Sequence, residues 1–408
     1  MKFTELTKDE FSKFVEKQDT NNFFQSIPMM EKLERDGREV YLVGVKKDNK
    51  IVAASLIAST GHTFMGAKTF EAYKGFILDY HDDKLLKYMT GSCINFLKSK
   101  NGLRLVIDPY IPNISRDMDA NVIEGQIDNR DVKFNLHRMG YKDNDGAQVK
   151  WCYVLDINGK SSDELFNDFR SSTRNYINRT ISKYKLDIKT LKRDELSEFK
   201  KITSDTCDRR DFADKSLEYY ENMYDVFGDD VTFKICSLNC DTYINTLKAD
   251  NEEMERKVEE LSDSASNKKK KEVMRNDILN NIKKIKDTEE LKKEKGNIIP
   301  LSAAMFMLYG NEIVYLFSGS YAEYMNFCGQ YRLQWELIKY AADNGYRRYN
   351  FYGIQDVFNP QGKDYGVYEF KKGFGGYVEE LLGSFEISIS PKNKVYRLLK
   401  SVKKIIKK

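Results

Sequence analysis

Apolar and polar residues follow the same order in two distant parts of the chain. Residues 40–59 alternate as two strands around a charged turn, and residues 301–320 do so around a Gly-Asn turn. Each pair of strands is followed by an amphipathic helix that ends at an Asn-Gly pair, and then by another strand at 103–110 or 346–353. The pattern predicts an α/β (α+β) protein that contains a duplicated unit.

Between the two units lies a segment that is rich in Lys, Glu and Asn and contains no proline. Its apolar residues recur at alternating steps of three and four, which predicts coiled-coil helices with one polar seam position. The turn composition of residues 262–271 predicts an antiparallel hairpin. A solvated interaction arm and a basic tip that contacts a polyanion are both open interpretations. The seam residues are Ile244, Leu247, Asn251, Met254, Val258 and Leu261, followed by Ile278, Ile282 and Ile285.

These segments divide the 408 residues, a length that exceeds the usual single domain. We expect a first domain at 1–153, a second at 154–240 plus 299–390, and the helical arm at 241–298. Residues 391–408 contain no acidic residue and place apolar side chains on one helical face with lysines opposite. This composition is typical of a short helix drawn to anionic lipid headgroups, although docking on the protein body is an open alternative.

Composition excludes several classes of protein. The 67 basic and 63 acidic residues give a net charge of only +4, so attraction to phosphate must come from local clusters. The N-terminus is charged throughout and no stretch resembles a transmembrane helix, so we expect a cytosolic protein. Six cysteines and three histidines lack metal-ligand spacing, which argues against a disulfide framework, a zinc site and a Cys-His nucleophile.

Two short stretches carry candidate chemistry. In "VYEFKKGFGG" (367–376), two lysines stand among aromatic residues that alternate as in a strand; an edge strand protected by lysine is the simple alternative. In "FRSSTRNYINRTISKYK" (169–185), basic residues alternate with tyrosines, which suits phosphate contact with base stacking. A solvated helix face explains the second stretch equally well.

The duplicated sheet units suggest an acetyltransferase-like fold, in which an acyl donor meets an amine between splayed strands. Neither repeated helix is preceded by the Gly-rich loop that would cradle the pyrophosphate of coenzyme A. The acyl donor is therefore predicted not to be a coenzyme A thioester.

Several stretches together resemble the Fem aminoacyltransferases of Gram-positive bacteria. They are "MKFTELTKDEF", "FFQSIPMMEKL", "LVIDPY", "RNYINRTISKYKLDIK", the heptad arm, "LQWELIKYA", "RYNFYG" and "DYGVYEFKKGF". The resemblance covers essentially the whole chain in the same order. It implies two tandem acetyltransferase-like (GNAT-like) domains, with the arm inserted in the second and similar to the tRNA-contacting arm of seryl-tRNA synthetase.

The activity implied by this resemblance is transfer of glycine, alanine or serine from aminoacyl-tRNA to an amine of the peptidoglycan stem peptide or its growing bridge. The implied acceptor is lipid II or UDP-MurNAc-pentapeptide, with no metal or tightly bound cofactor. The implied location is the inner face of the membrane, with possible association with related Fem enzymes. Two alternatives stay open: a non-catalytic protein that binds lipid II or tRNA, and an acyltransferase with another activated donor.

The resemblance also implies the active residues. The family's Phe-Lys pattern places the catalytic lysine at Lys371, with Phe370 beside it, to stabilise the negative charge that forms on the ester oxygen. Simple strand alternation would instead place Lys372 on the aromatic face. Asp108, at the end of a predicted strand, matches the base proposed for the attacking amine; a turn aspartate before Pro109 is the alternative.

Further positions carried over from the family concern substrate contact. Phe317 replaces a family tyrosine, and Lys215 replaces an arginine, which keeps the charge but loses bidentate geometry. The implied acceptor-binding residues are Lys32, Lys74, Gly75, Lys215, Tyr219 and Phe317. The expected tRNA-binding residues are Arg170, Arg174, Arg179, Lys183, Lys269 and Lys270.

Overall fold

The computed structural model describes residues 1–19, 21–144, 148–262 and 264–406. One mixed sheet has the strand order β1-β2-β3-β4-β5-β15-β7. Its β2–β3 hairpin and β5 confirm the strands predicted for the first unit. The strands are β1 (Lys2–Glu5), β2 (Val40–Lys47), β3 (Lys50–Phe64), β4 (Ala67–Tyr73), β5 (Gly102–Asp108), β7 (Lys142–Asp143) and β15 (Phe385–Ser388).

The second sheet has the order β6-β14-β8-β13-β12-β11-β10-β9. The β11–β12 hairpin and β13 confirm the strands predicted for the second unit. The strands are β6 (Pro112–Ile114), β8 (Trp151–Asp156), β9 (Asp187–Thr190), β10 (Val231–Asn239), β11 (Ile298–Tyr309), β12 (Glu312–Ser320), β13 (Arg348–Gly353) and β14 (Tyr377–Leu381).

The two sheets exchange strands, so sheet membership does not follow the expected division of the sequence. Strand β15 lies in the first sheet, paired with β5, although it falls within the segment 299–390. Strand β6 lies in the second sheet, paired with β14, although it falls within residues 1–153. These pairings join residues far apart in sequence, which local periodicity does not encode.

Helices cover the faces of both sheets. Helix α1 begins at a capping box in which Thr7 and Glu10 bond reciprocally. The two repeated amphipathic helices are α3 and α11, and each packs its apolar face on its own sheet. The helices are α1 (Lys8–Val15), α2 (Ile27–Arg35), α3 (Asp83–Ser99), α4 (Arg130–Arg138), α5 (Ser162–Asp168), α6 (Ser171–Asn178), α7 (Leu196–Arg210), α8 (Leu217–Phe227), α9 (Cys240–Glu260), α10 (Ala265–Lys295), α11 (Gly329–Asp343), α12 (Tyr365–Lys372) and α13 (Lys392–Ile406).

Helices α9 and α10 form the antiparallel arm between the adjacent strands β10 and β11. The polar seam residue Asn251 is buried and accepts a hydrogen bond of 3.0 Å from Asn281 of α10. Near the base of the arm, Lys292 pairs with Asp241 at 2.5 Å. A buried amide pair of this kind fixes the register of two helices, because slippage would leave both groups without partners.

The stretch 367–376 is not a strand. Residues 365–372 form helix α12, which buries Tyr368, Lys371 and Lys372 on one side. The strand prediction was wrong because the aromatic and basic residues are also three and four residues apart, as on one face of a helix. A run this short does not distinguish the period of a helix from that of a strand. On a helix, the alternation that favoured Lys372 over Lys371 has no meaning.

The C-terminal helix α13 contacts the first sheet through its polar side, where Tyr396 packs edge-on against Phe64 at 5.4 Å between ring centroids. Its apolar residues Val395, Leu398 and Leu399 are exposed. These three apolar side chains therefore do not dock on the body of the protein. The side chains from residue 400 onward, and residues 407–408 entirely, lie outside what the structure describes.

Candidate functional site

A cavity opens in the second unit where two parallel strands separate. Strands β12 and β13 pair from Glu312↔Arg348 to Val314↔Asn350, and β12 then continues as far as Ser320 apart from β13. The cavity between them has a volume of about 510 Å³, which is in the range of small-molecule sites. The ends of α7 and α12 and the start of α11 complete its wall.

The corresponding strands of the first unit do not separate. Strands β4 and β5 remain paired as far as Tyr73↔Asp108, the last residues of both. The described cavity therefore belongs to the second unit.

Lys371 reaches this cavity from helix α12, and Phe370 lines the wall beside it. The lysine is only 5% exposed, and its Nζ donates a hydrogen bond of 2.6 Å to the carbonyl oxygen of Gly353. No carboxylate pairs with it among the described residues. Burial lowers the pKa of Lys371 to about 7, because the ammonium loses its hydration without gaining an acidic partner.

Lys372, the next residue, makes different contacts. Its Nζ forms an ion pair with Asp119 and approaches Glu369 at 3.6 Å. Tyr368 of the same helix donates a hydrogen bond of 2.7 Å to the carbonyl oxygen of Met118. These contacts tie α12 to the segment around residue 118, so the structure places Lys371, and not Lys372, at the cavity.

Asp108 lies at the end of β5 as expected, but its carboxylate is not open to the cavity. Its Oδ2 pairs with Nζ of Lys74 at 2.7 Å, and both side chains are 1% exposed. Ser384 donates a hydrogen bond of 3.0 Å to Oδ1. Gly75 allows a close approach here, since a Cβ at this position would lie 2.9 Å from both Gln25 and Ser55. Lys74, Gly75 and Asp108 thus form one buried group.

Four other predicted acceptor-binding residues come together where the two units meet. Nζ of Lys32, on α2, lies 4.5 Å from the ring centroid of Tyr219, and Nζ of Lys215 lies 5.3 Å from it. The Phe317 ring meets the Tyr219 ring edge-on at 6.0 Å. Lys32 also pairs with Asp36 at 2.5 Å. We call Lys32, Lys215, Tyr219 and Phe317 the boundary cluster.

The predicted tRNA-binding residues do not form one surface. Arg170 pairs with Glu369 at 2.8 Å, and Arg174 donates to the carbonyl oxygens of Asn167 and Phe169, each at 2.6 Å. Arg179 donates to the hydroxyl of Tyr184. These three guanidinium groups therefore have partners within the protein.

The lysines predicted to contact tRNA lie beside the arm or at its far end. Lys183 lies against the arm beside acidic residues of α9 and α10, including Asp250 and Asp277. Lys269 and Lys270 are exposed in the first turns of α10, at the far end of the arm.

A buried polar network that sequence reasoning missed joins the two units. Tyr110 donates its hydroxyl to Glu312, at 2.8 and 2.9 Å from the two carboxylate oxygens. Arg348 contacts Glu312 at 2.8 Å and Glu379 at 2.9 Å. Burial raises the pKa of Glu312, while the nearby Arg348 opposes that rise. Nothing in the sequence pattern brings Tyr110 to Glu312, because 202 residues separate them.

The described residues include neither a metal-binding cluster nor a membrane-spanning helix. No group of three or more His, Cys, Asp or Glu side chains is arranged to hold a metal ion. Within the same residues, every helix is too short or too polar to cross a bilayer. The six cysteines are free, and all but Cys328 are buried, in accord with structural thiols.

Residues 6–403 match the model of the FemAB family. The chain is 31% identical to "Aminoacyltransferase FemA" of Staphylococcus epidermidis over 424 residues, covering 99% of this chain and all of that protein. It is 30% identical to "Aminoacyltransferase FemA" of Staphylococcus aureus over 420 residues, covering 99% of each. These full-length relatives confirm the expected class of enzyme, a transferase.

Comparison with solved structures confirms the fold. The crystal structure of FemX superposes with a TM-score of 0.74 at 22% identity, covering 98% of this chain and 99% of that one. A tandem GNAT protein from the clavulanic acid biosynthesis pathway gives a TM-score of 0.52 at 9% identity, covering 96% and 99%. The protein thus has two tandem GNAT-like units, as the sequence predicts. With a family match from residue 6 to residue 403 and relatives similar over their whole length, the chain belongs to the FemAB family.

Proposed function

We propose that the protein transfers a glycyl, alanyl or seryl group from aminoacyl-tRNA to the amine of a peptidoglycan precursor, either on the stem peptide or on a bridge already begun. The donor ester enters the cavity between β12 and β13. The acceptor lies over the boundary cluster, with lipid II or UDP-MurNAc-pentapeptide as its carrier.

The observation that carries this proposal is the environment of Lys371. Lys371 is 5% exposed and bonded to one carbonyl oxygen, and it has no acidic partner among the described residues. It is therefore held at a cost in stability, which favours a catalytic role over a structural one. Lys372 does not carry this cost, because its ammonium is paired with Asp119.

In the proposed reaction, the acceptor amine attacks the carbonyl carbon of the ester that joins the amino acid to the tRNA. The ammonium of Lys371 stabilises the negative charge that forms on the carbonyl oxygen. The bond to the ribose oxygen then breaks, this oxygen leaves as a hydroxyl after it takes up a proton, and an amide remains. The attacking nitrogen gives up one proton in the process.

Asp108 is the proposed acceptor of that proton. Its burial sets a condition, since an amine can reach the carboxylate only when the contact with Lys74 opens. Without that opening, Asp108 holds Lys74 at the end of β4 and acts as a positioning residue.

The tRNA body is proposed to follow the basic side of the arm to Lys269 and Lys270. These ammonium groups are exposed and lie on an extended hairpin, as non-specific contact with a phosphate backbone requires. Arg170, Arg174 and Arg179 are proposed to support this surface through their internal contacts, and Lys183 borders it.

The test is transfer of radiolabelled glycine, alanine or serine from charged tRNA to purified lipid II, with and without ribonuclease. We expect ribonuclease-sensitive transfer that falls by two or more orders of magnitude in Lys371→Ala. Lys372→Ala is the matched control, because it removes the neighbouring ammonium without touching the cavity. The label that transfers fastest identifies the donor.

Two outcomes would favour the alternatives. Binding of lipid II without transfer from any charged tRNA, whether or not the lipid II carries a first bridge residue, would make the protein a non-catalytic member of the family. Transfer that resists ribonuclease and uses another activated donor would show that aminoacyl-tRNA is not the donor.

Peripheral membrane contact through α13 is a separate part of the proposal. Val395, Leu398 and Leu399 are exposed on a helix whose other face is basic. Leu398→Glu should weaken sedimentation with vesicles that contain anionic lipid. Leu279→Glu, at a similarly exposed leucine of the arm, should not. Equal effects of the two substitutions would refute contact through α13.

A further inference from the structure

Tyr352, at the end of β13, has an unusual backbone. Its φ of +63° lies in the left-handed region, which is rare for a bulky side chain. The pairing of β13 with β8 shifts at this point, since the step from Asn350 to Gly353 spans one residue more than the step from Val154 to Cys152. A bulge of this kind changes the direction in which a side chain points, and bulges are frequent beside active sites.

The unusual conformation is held from both sides. The backbone N–H of Tyr352 donates to Oδ1 of Asn350 at 2.7 Å, and Nδ2 of Asn350 donates to Glu312 at 3.0 Å. On the other side, the carbonyl oxygen of Gly353 accepts the hydrogen bond from Lys371. The conformation of Tyr352 is thus fixed by the buried inter-unit network and by the proposed catalytic lysine.

The side chain of Tyr352 lies between the two proposed substrate sites. It lines the cavity, and it packs against the same hydrophobic core cluster as Tyr219 and Phe317 of the boundary cluster. Burial raises the pKa of Tyr352, and the nearby Cys152, Asp108 and Tyr219 add to the rise. The hydroxyl stays protonated at neutral pH, and no hydrogen-bond partner for it occurs among the described residues.

We infer that Tyr352 is a positioning residue whose hydroxyl hydrogen-bonds the amine-bearing chain of the acceptor where the donor cavity meets the boundary cluster. The inference rests on the proposed function and adds the residue that aligns the two substrates. A neutral phenol suits this position, because it can donate to an amide carbonyl or accept from an amine without adding charge.

The test uses the full-length enzyme with Tyr352→Phe, which keeps the ring and removes only the hydroxyl. We expect kcat/KM for UDP-MurNAc-pentapeptide to fall roughly tenfold to hundredfold through a higher KM, because one hydrogen bond to the acceptor is lost. The KM for charged tRNA and the midpoint of thermal unfolding should not change. Tyr321→Phe is the matched control, since Tyr321 is partly buried at the end of β12 but is absent from the described cavity wall.

Equilibrium binding of UDP-MurNAc-pentapeptide without tRNA gives a second readout, and it should weaken by a similar factor in Tyr352→Phe. Unchanged acceptor binding, or a change confined to the KM for tRNA, would overturn the inference. If wild type transfers nothing to UDP-MurNAc-pentapeptide or lipid II, with or without a first bridge residue, the proposed function itself fails. If wild type transfers and Tyr352→Phe behaves like Tyr321→Phe, only this inference fails.

Discussion

Replacement of Lys371 by methionine should stabilise the fold at neutral pH while it abolishes transfer. Methionine fills a similar volume and removes the desolvated ammonium. The variant therefore separates the stability cost of this lysine from its chemical role.

The magnitude follows from the pKa. Burial lowers the pKa of Lys371 from its ordinary value of 10.5 to about 7, and each pH unit corresponds to about 1.4 kcal/mol. The buried ammonium thus costs roughly 4–5 kcal/mol of stability at or below pH 7. Loss of the hydrogen bond to Gly353 offsets about 1 kcal/mol of the gain in the variant, with no dependence on pH.

The way in which this stability difference changes with pH tests whether the ammonium is desolvated. Between pH 7 and 10.5 the unfolded chain binds the lysine proton while the folded protein releases it, so the stability of wild type rises with pH. Below pH 7 both states hold the proton and the full cost remains. The advantage of Lys371→Met should therefore shrink by about 2 kcal/mol between pH 7 and pH 9.

Denaturant unfolding of both proteins at half-unit steps of pH would measure this difference. Lys372→Met is the matched control, and we expect it to show no gain in stability, because it removes an ion pair with Asp119. If the curves for wild type and Lys371→Met stay parallel from pH 7 to pH 9, the ammonium is not desolvated and the argument for its catalytic role fails.

Three further predictions test the site and the arm. Asp108→Asn should lower the free energy of unfolding by about 3–5 kcal/mol, because it leaves Lys74 buried and unpaired; adding Lys74→Met should restore stability, and restored transfer as well would exclude Asp108 as the base. For wild type, kcat/KM should fall as pH rises above about 7, as Lys371 loses its proton; a rate that rises instead would contradict a need for the Lys371 ammonium. Charge reversal of Lys269 and Lys270 together should raise the KM for charged tRNA several-fold and flatten its salt dependence without changing thermal stability; an unchanged salt dependence would remove the arm tip from the tRNA path.

Local patterns in the sequence were sufficient for most of the framework. The two hairpins, the helices α3 and α11 and the arm were predictable because each has the period of its own structure. Even the polar seam position, Asn251, was visible, although its partner Asn281 was not. The prediction failed at α12, where a short aromatic run fits the period of a strand as well as that of a helix.

The arrangement of the site depended on contacts that no local pattern carries. The resemblance to a family supplied Lys371 and Asp108 by position. Only the structure shows that Lys371 has no acidic partner among the described residues and that Lys74 closes the carboxylate of Asp108. Tyr352 stands in the quoted motif "RYNFYG", yet its positive φ depends on Asn350, which a network between the units holds in place. Strained backbone of this kind is decided by tertiary structure and not by propensity.

The separation of β12 from β13 explains how two units of one fold come to differ. Parallel pairing ends after Val314, and at the far end of β12 side chains of α7 bond the backbone: Arg209 donates to the carbonyl oxygen of Ser320 at 3.0 Å, and the N–H of Ser320 donates to Thr206 at 2.9 Å. The end of β12, which stays paired with β11, thus finds side-chain partners where β13 has left it, and the space beside it stays free. In the first unit, pairing continues to Asp108, whose contact with Lys74 closes the same place. Duplication thus provides two sheets, and the side chains at the ends of their central strands determine that the second one holds the cavity.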